Sequence, residues 1–157
     1  MKIKLLMIGK TTDANLHKLI ENYQKRLSHY LSFEITVIPD IKNAKNLTLD
    51  QQKEKEAELL LSKIETQEEV ILLDERGKQF SSVQFSNFIS DKMLYSGKNV
   101  TFVIGGAYGF SEKVYSRANS LLSISAMTFS HQMIRLLFVE QLYRAMTIIK
   151  GEPYHHE

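Results

Sequence analysis

The chain has 157 residues, 43% hydrophobic and 24% charged, which suits one soluble domain with a real core. It has no cysteine, which excludes a disulfide framework, a cysteine metal site and a cysteine nucleophile, and no stretch reaches the ~18 apolar residues of a membrane span. A net charge of +2 is compatible with an RNA partner without demanding one.

The first residues, Lys2 to Ile8, read as an apolar β-strand ending at Gly9. The run is too short for a signal peptide, and no small-residue cleavage site follows. Asp13 is placed to cap a helix from Ala14 to about Tyr30, with Leu16, Leu19, Ile20, Tyr23 and Leu27 on one face. Phe33 to Ile38 alternates and stops at Pro39, which predicts a second strand. A polar loop follows, and from Thr48 a charged helix runs from Leu49 to Ile64. Its apolar face is thin: Leu59, Leu60 and Ile64. Val70 to Leu73 is wholly apolar, as expected of a central strand covered on both sides, and Asp74 to Lys78 reads as a charged turn. Ser81 or Ser82 caps a third helix reaching about Tyr95, and Ser96-Gly97-Lys98 stops it before a strand at 100–104. This alternation of strand and helix predicts an α/β fold with a mostly parallel sheet. Ligands of such sheets bind beyond the carboxyl ends of the strands, here Leu73-Asp74 and Ile104-Gly105.

The C-terminal third carries the chemistry. Strand 100–104 opens into Gly105-Gly106-Ala107-Tyr108-Gly109-Phe110, which has neither dinucleotide-fingerprint nor P-loop spacing. Such a turn either joins a strand to a helix or lets backbone approach a ligand. The apolar, serine-bearing run Leu121 to Phe129 reads either as an edge strand with its loop or as main chain that grips a nucleoside. The helix from Gln132 to Lys150 is apolar on every side, so a second subunit is its natural cover and a homodimer is expected. Within it Glu140 and Arg144 are spaced for an i, i+4 pair, and Arg135 is a cation in an apolar setting. His131, His155 and His156 lack the spacing of a zinc site, so no metal is expected. No G-x-S-x-G elbow is present. Pro153 stiffens the approach to Tyr154 and His155, which argues against an idle tail.

Four ordered motifs carry a family resemblance. They are Phe102 to Gly109, Leu122 to His131, Glu140 to Ala145, and Pro153-Tyr154-His155. Together they resemble the RlmH family of SPOUT-class methyltransferases, over the whole chain. The resemblance implies a single SPOUT domain over residues 1–157, with a C-terminal trefoil knot and a homodimer whose subunits build each active site together. It also implies a cytoplasmic enzyme that uses S-adenosyl-L-methionine to methylate N3 of a pseudouridine in large-subunit rRNA. The small charge favours an assembled ribosome as substrate. By the same resemblance the donor contacts are Leu73, Gly105, Ile124, Ser125, Ala126, Met127, Thr128 and Phe129. Tyr154, His155, Arg144 and Arg135, with His131, line the reaction side. The chain departs from the family pattern at Ala107-Tyr108, at Ser130 and at His156. Methylation of a tRNA base and a noncatalytic RNA-binding module are the rival readings.

Overall fold

The computed structural model describes residues 1–156; Glu157, the last residue of the tail and of the expected domain, lies outside them. Strands and helices alternate in the order β1 (Lys2–Ile8), α1 (Ala14–Leu27), β2 (Ser32–Ile38), α2 (Leu49–Ser62), β3 (Glu69–Gln79), α3 (Ser82–Asp91), β4 (Val100–Ile104), α4 (Glu112–Arg117), β5 (Ser120–Ser123) and α5 (Met133–Ile149). The strands form one sheet in the order β2-β1-β4-β3-β5, and every pairing is parallel. Parallel strands buried on both faces read as continuous apolar runs, and all five residues of β4, the middle strand, are buried.

Alternate side chains of each strand face two separate cores. Ile3, Leu5, Met7, Ile71, Phe102 and Ile104 pack on one face with Ile20 of α1, Phe85 of α3 and Phe138 of α5. Leu6, Ile8, Val70, Leu72 and Val103 pack on the other with Leu60 of α2 and Val114 of α4. Helices α1, α3 and α5 therefore cover one face, and α2 and α4 the other. No helix among the described residues is long and apolar enough to cross a membrane.

The helix starts follow their capping chemistry. The Asp13 carboxylate accepts from the amides of Asn15 and Leu16, and Thr48 and Ser81 close capping boxes with Gln51 and Gln84. Helix α1 stops at Leu27, and α3 ends at Asp91 and widens into a π turn over Lys92–Ser96. Leu19 and Leu59, expected on buried faces, are 48% and 39% exposed. Ala57 takes the buried place beside Leu60.

Two departures shape the site. Residues 74–78, expected as a turn, continue β3: Leu122 of β5 pairs with both Leu73 and Lys78, so Asp74–Gly77 bulges between them. Tertiary pairing thus overrides the charge of that segment. The α4 helix, too short to show a period, had no counterpart in the sequence reading. Helix α5 is also better covered by its own chain than its composition implies. Arg135, Phe138, Val139, Leu142, Ala145 and Met146 are buried, and only Met133 and Lys150 within 133–150 are exposed.

Gly77 is the tightest point of the sheet. A Cβ there would lie 2.5 Å from the Leu122 nitrogen and 2.6 Å from the Leu121 carbonyl carbon, both backbone atoms. No rotamer change relieves such a contact. Gly77→Ala is therefore expected to lose about 3 kcal/mol of stability by pushing β5 from β3. Urea unfolding of the variant checks this, and a midpoint equal to wild type would show that the pair can separate at no cost.

Candidate functional site

The bulge of β3 and the carboxyl ends of β4 and β5 open into one cleft of about 700 Å3. Its walls are Leu73–Arg76, the turn 104–110, and the loop that leaves β5. Of the expected donor contacts, Leu73, Gly105, Ile124, Ser125, Met127, Thr128 and Phe129 line it, and so does His131. Ala126 lies in the same loop, exposed, but is not part of the lining.

Local hydrogen bonds shape the loop. The Ser123 hydroxyl donates to the Ser125 carbonyl at 2.8 Å, and the Met127 amide donates to the Ser125 hydroxyl at 3.0 Å. Ser130 then starts α5, accepting from the Met133 amide on its hydroxyl and from the Ile134 amide on its carbonyl. The glycine turn closes by a bond from the Gly109 amide to the Gly106 carbonyl. The Phe110 ring packs under Gly105, where a Cβ would lie 3.0 Å from it.

Asp74 stands at the strand end where a ligand was expected, but its partners were not foreseen. It accepts from the Tyr115 hydroxyl and, at 2.8 Å, from the Arg76 amide, and the Arg76 guanidinium lies over the Tyr115 ring. Burial would push its carboxyl up, but these donors outweigh it and hold Asp74 below the usual carboxylate range. Tyr115 is pushed up by burial and by the same bond. Only pairing within the fold brings Asp74 and Tyr115 together, and no spacing in the sequence announces it. A second hollow of about 350 Å3 shares Leu122–Ser125 and Phe129 with the cleft and reaches Phe80, Phe85, Leu137 and Gln141.

The tail residues form a separate group. Helix α5 ends in a Schellman motif: Gly151, with a left-handed φ of 69°, donates to Ile148, and Glu152 donates to Thr147. The chain then folds back along the helix. Glu152 accepts from the Tyr30 hydroxyl at 2.5 Å. Glu140 accepts from the Tyr154 hydroxyl at 3.0 Å and from Arg144 at 2.5 Å on the same oxygen. The Tyr154 and Tyr23 hydroxyls are 3.2 Å apart, and the Tyr154 ring sits 4.7 Å from that of Tyr143. Arg144 also donates to Nδ1 of His155 at 3.2 Å, so that nitrogen presents its lone pair to the guanidinium. The structure thus brings Tyr154, His155 and Arg144 together as expected. None of them lines the cleft. Arg144 lies ten positions beyond Ile134, the last α5 residue of the lining, which is about 15 Å along the axis.

Arg135 stands apart from both groups. It is fully buried and donates to the carbonyls of Ile8, Gly9 and His131 and to the Thr11 hydroxyl, at 2.7 to 3.1 Å. Burial lowers its pKa, and Asp40 opposes that shift. Gln132 makes a parallel link, accepting from the Thr12 amide and donating to the Lys10 carbonyl.

Comparison with known proteins extends this geometry. Residues 1–155 match the family described as "Predicted SPOUT methyltransferase". The ribosomal RNA large subunit methyltransferase H of Flavobacterium johnsoniae is 57% identical over all of both chains, and that of Flavobacterium psychrophilum is 58% identical over all of both. Among solved structures, a probable methylase family protein from Haemophilus influenzae is similar with a TM-score of 0.58 at 13% identity, covering 99% of this chain and 70% of that one. A probable methyltransferase from Bordetella pertussis has a TM-score of 0.55 at 10% identity, covering 92% and 94%. These two show likeness of fold.

The tail's tyrosines give the site a pH signature. Tyr30 is pushed up to about 12, first by its bond to Glu152 and then by burial. Tyr154 is raised by burial and by its bonds to Tyr23 and Glu140. A folded pKa above the unfolded value of about 10 means that the fold holds the proton. The contribution is complete below about pH 10 and disappears as pH rises through the folded value. Thermal midpoints measured from pH 8 upward should therefore fall more steeply above about pH 10 for wild type than for Tyr30→Phe. Superimposable curves would mean that the tail contact contributes nothing.

Proposed function

Because this chain belongs to the SPOUT methyltransferase family, among the ribosomal RNA large subunit methyltransferase H proteins, we propose that it methylates large-subunit rRNA at N3 of a pseudouridine, with S-adenosyl-L-methionine as donor. The observation that carries this reading is the cleft, which gathers seven expected donor contacts around the β3 bulge and two strand ends. Its volume is that of a small-molecule site. Ile124, Met127 and Phe129 offer apolar surface to an adenine, and the Asp74 and Glu75 carboxylates suit a ligand with cationic centres. Once bound, the donor supplies a methyl group on a sulfonium, an electrophile that needs no metal.

The protein's part is to hold the base and manage one proton. As N3 loses its proton, negative charge spreads to the flanking ring oxygens. Arg144 and the Tyr154 hydroxyl are donors suited to those oxygens. The raised pKa of Tyr154 keeps it protonated and donating. His155 accepts the N3 proton at Nδ1 when Arg144 turns from it to the base. Arg135, by contrast, acts on structure: it fixes the start of α5.

We further assign the chain, residues 1–157, to one cytoplasmic SPOUT domain with a C-terminal trefoil knot, and its substrate to an assembled ribosomal particle. The close passage of Gly77 over Leu121 and Leu122 fits a threaded chain. The enzyme acts as a homodimer in which each tail serves the partner's cleft, since about 15 Å of helix separates the two groups within one chain. The outward residues of α5, Met133, Leu137, Gln141 and Ile148, are the surface for that partner.

Two variants test this together. Gly105→Val drives a branched side chain into the Phe110 ring and should abolish donor binding in calorimetry. Deleting 154–157 should leave donor binding intact and remove methyl transfer. Mixed and re-associated, the two inactive chains should regain about a quarter of wild-type activity, because half the dimers then pair an intact cleft with an intact tail. An inactive mixture would place each tail at its own cleft, and a fully active truncation would remove the tail from the reaction.

A further inference from the structure

We propose that the outer face of α1 is a docking rail for the phosphate backbone of the RNA strand that carries the target base. The inference rests on the reading above and adds the surface that receives the RNA. At 100° per residue, α1 turns Leu16, Ile20, Tyr23 and Leu27 inward. The opposite arc presents Asn15, Lys18, Asn22, Lys25 and Arg26, with His29 just past the helix end, and all are exposed. Every one of these can donate a hydrogen bond.

The charge is concentrated there. Within α1, Lys18, Lys25 and Arg26 stand against the single acid Glu21, which sits between Lys18 and Lys25 on the outer face and is bonded to His17 at 3.0 Å. The other long surface helix, α2, sets Lys53 and Lys55 among Asp50, Glu54, Glu56 and Glu58. A chain of net charge +2 thus places its cationic helix face beside its tail. From Asn15 to Arg26 the arc runs about 16 Å, long enough to meet more than one phosphate of a strand laid along it.

The rail leads to the reacting group. The Arg26 guanidinium lies over the Tyr23 ring at 5.3 Å and the Tyr143 ring at 5.6 Å, so it is held in place with its N–H groups at the edge. The Tyr23 hydroxyl in turn meets that of Tyr154. A strand lying along α1 reaches Arg26 last and is then beside Tyr154 and Arg144. The excess of three cations over one acid, and the arginine stacked at the end nearest the tail, set this face apart from that of α2.

The test is the salt dependence of RNA binding by the full chain. Lys18→Ala/Lys25→Ala is compared with wild type and with Lys53→Ala/Lys55→Ala on α2, using protein-free large-subunit rRNA and large-subunit particles over a potassium chloride series. Loss of two phosphate contacts should flatten the slope of log K against log salt by about 1.4–1.8 for the α1 pair, on both substrates. The α2 pair should keep the wild-type slope, and donor affinity serves as the control for folding. Equal slopes in all three proteins would overturn the rail. Weaker binding to particles with an unchanged slope on free rRNA would also overturn it, and would give the face to an acidic protein. A wild-type chain that binds the donor but neither binds nor methylates rRNA would remove the proposed function and the rail with it.

Discussion

The buried guanidinium of Arg135 is the contact on which the site depends. A charge without solvent costs several kcal/mol unless its hydrogen bonds are met, and Arg135 meets them with carbonyls from β1 and α5 and a hydroxyl from the β1–α1 loop. The bonds have a geometric result. They tie the first turn of α5 to the carboxyl end of β1, and Gln132 adds a second tie. The segment between β5 and α5 then has fixed ends. It must arch over the β3 bulge and the end of β4, and that arch is one wall of the cleft.

The facing wall is built by the same means, close approach and full hydrogen bonding. Leu122 pairs with β3 on both sides of the bulge, which holds Asp74 at the cleft, and Tyr115 with the Arg76 amide keeps its carboxylate charged there. The bulge exists because Gly77 lets two backbones pass where any side chain would collide.

The tail obeys a different logic. Its position is set by the Schellman turn at Gly151 and by contacts with Tyr23 of α1, Tyr30 just beyond it and Tyr143 of α5. The cleft and the tail are thus two separate groups, set apart by about 15 Å of helix. Their separation is what makes a second copy chemically necessary in the proposed reaction. Coverage of α5 alone would not have required one, because α1 and α3 already flank it.

Much of this was legible in the sequence. Caps at Asp13, Thr48 and Ser81 act over three residues, and the apolar runs of β1, β3 and β4 report their own burial, so the α/β order could be read directly. Seven of the eight residues named for the donor line one cleft, and Tyr154, His155 and Arg144 meet at the tail. Other features needed the tertiary structure. The charged run 74–78 became strand because β5 pairs with it, and α4 was too short to show a period. Arg135 looked like a reacting cation because a sequence shows the type of a group but not its acceptors. Asp74 and Tyr115 are 41 positions apart and meet only across the fold. Local hydrogen bonds and burial periodicity are written within a few residues, whereas the partner of a buried charge or of a backbone passing at 2.5 Å is decided by where distant segments come to lie.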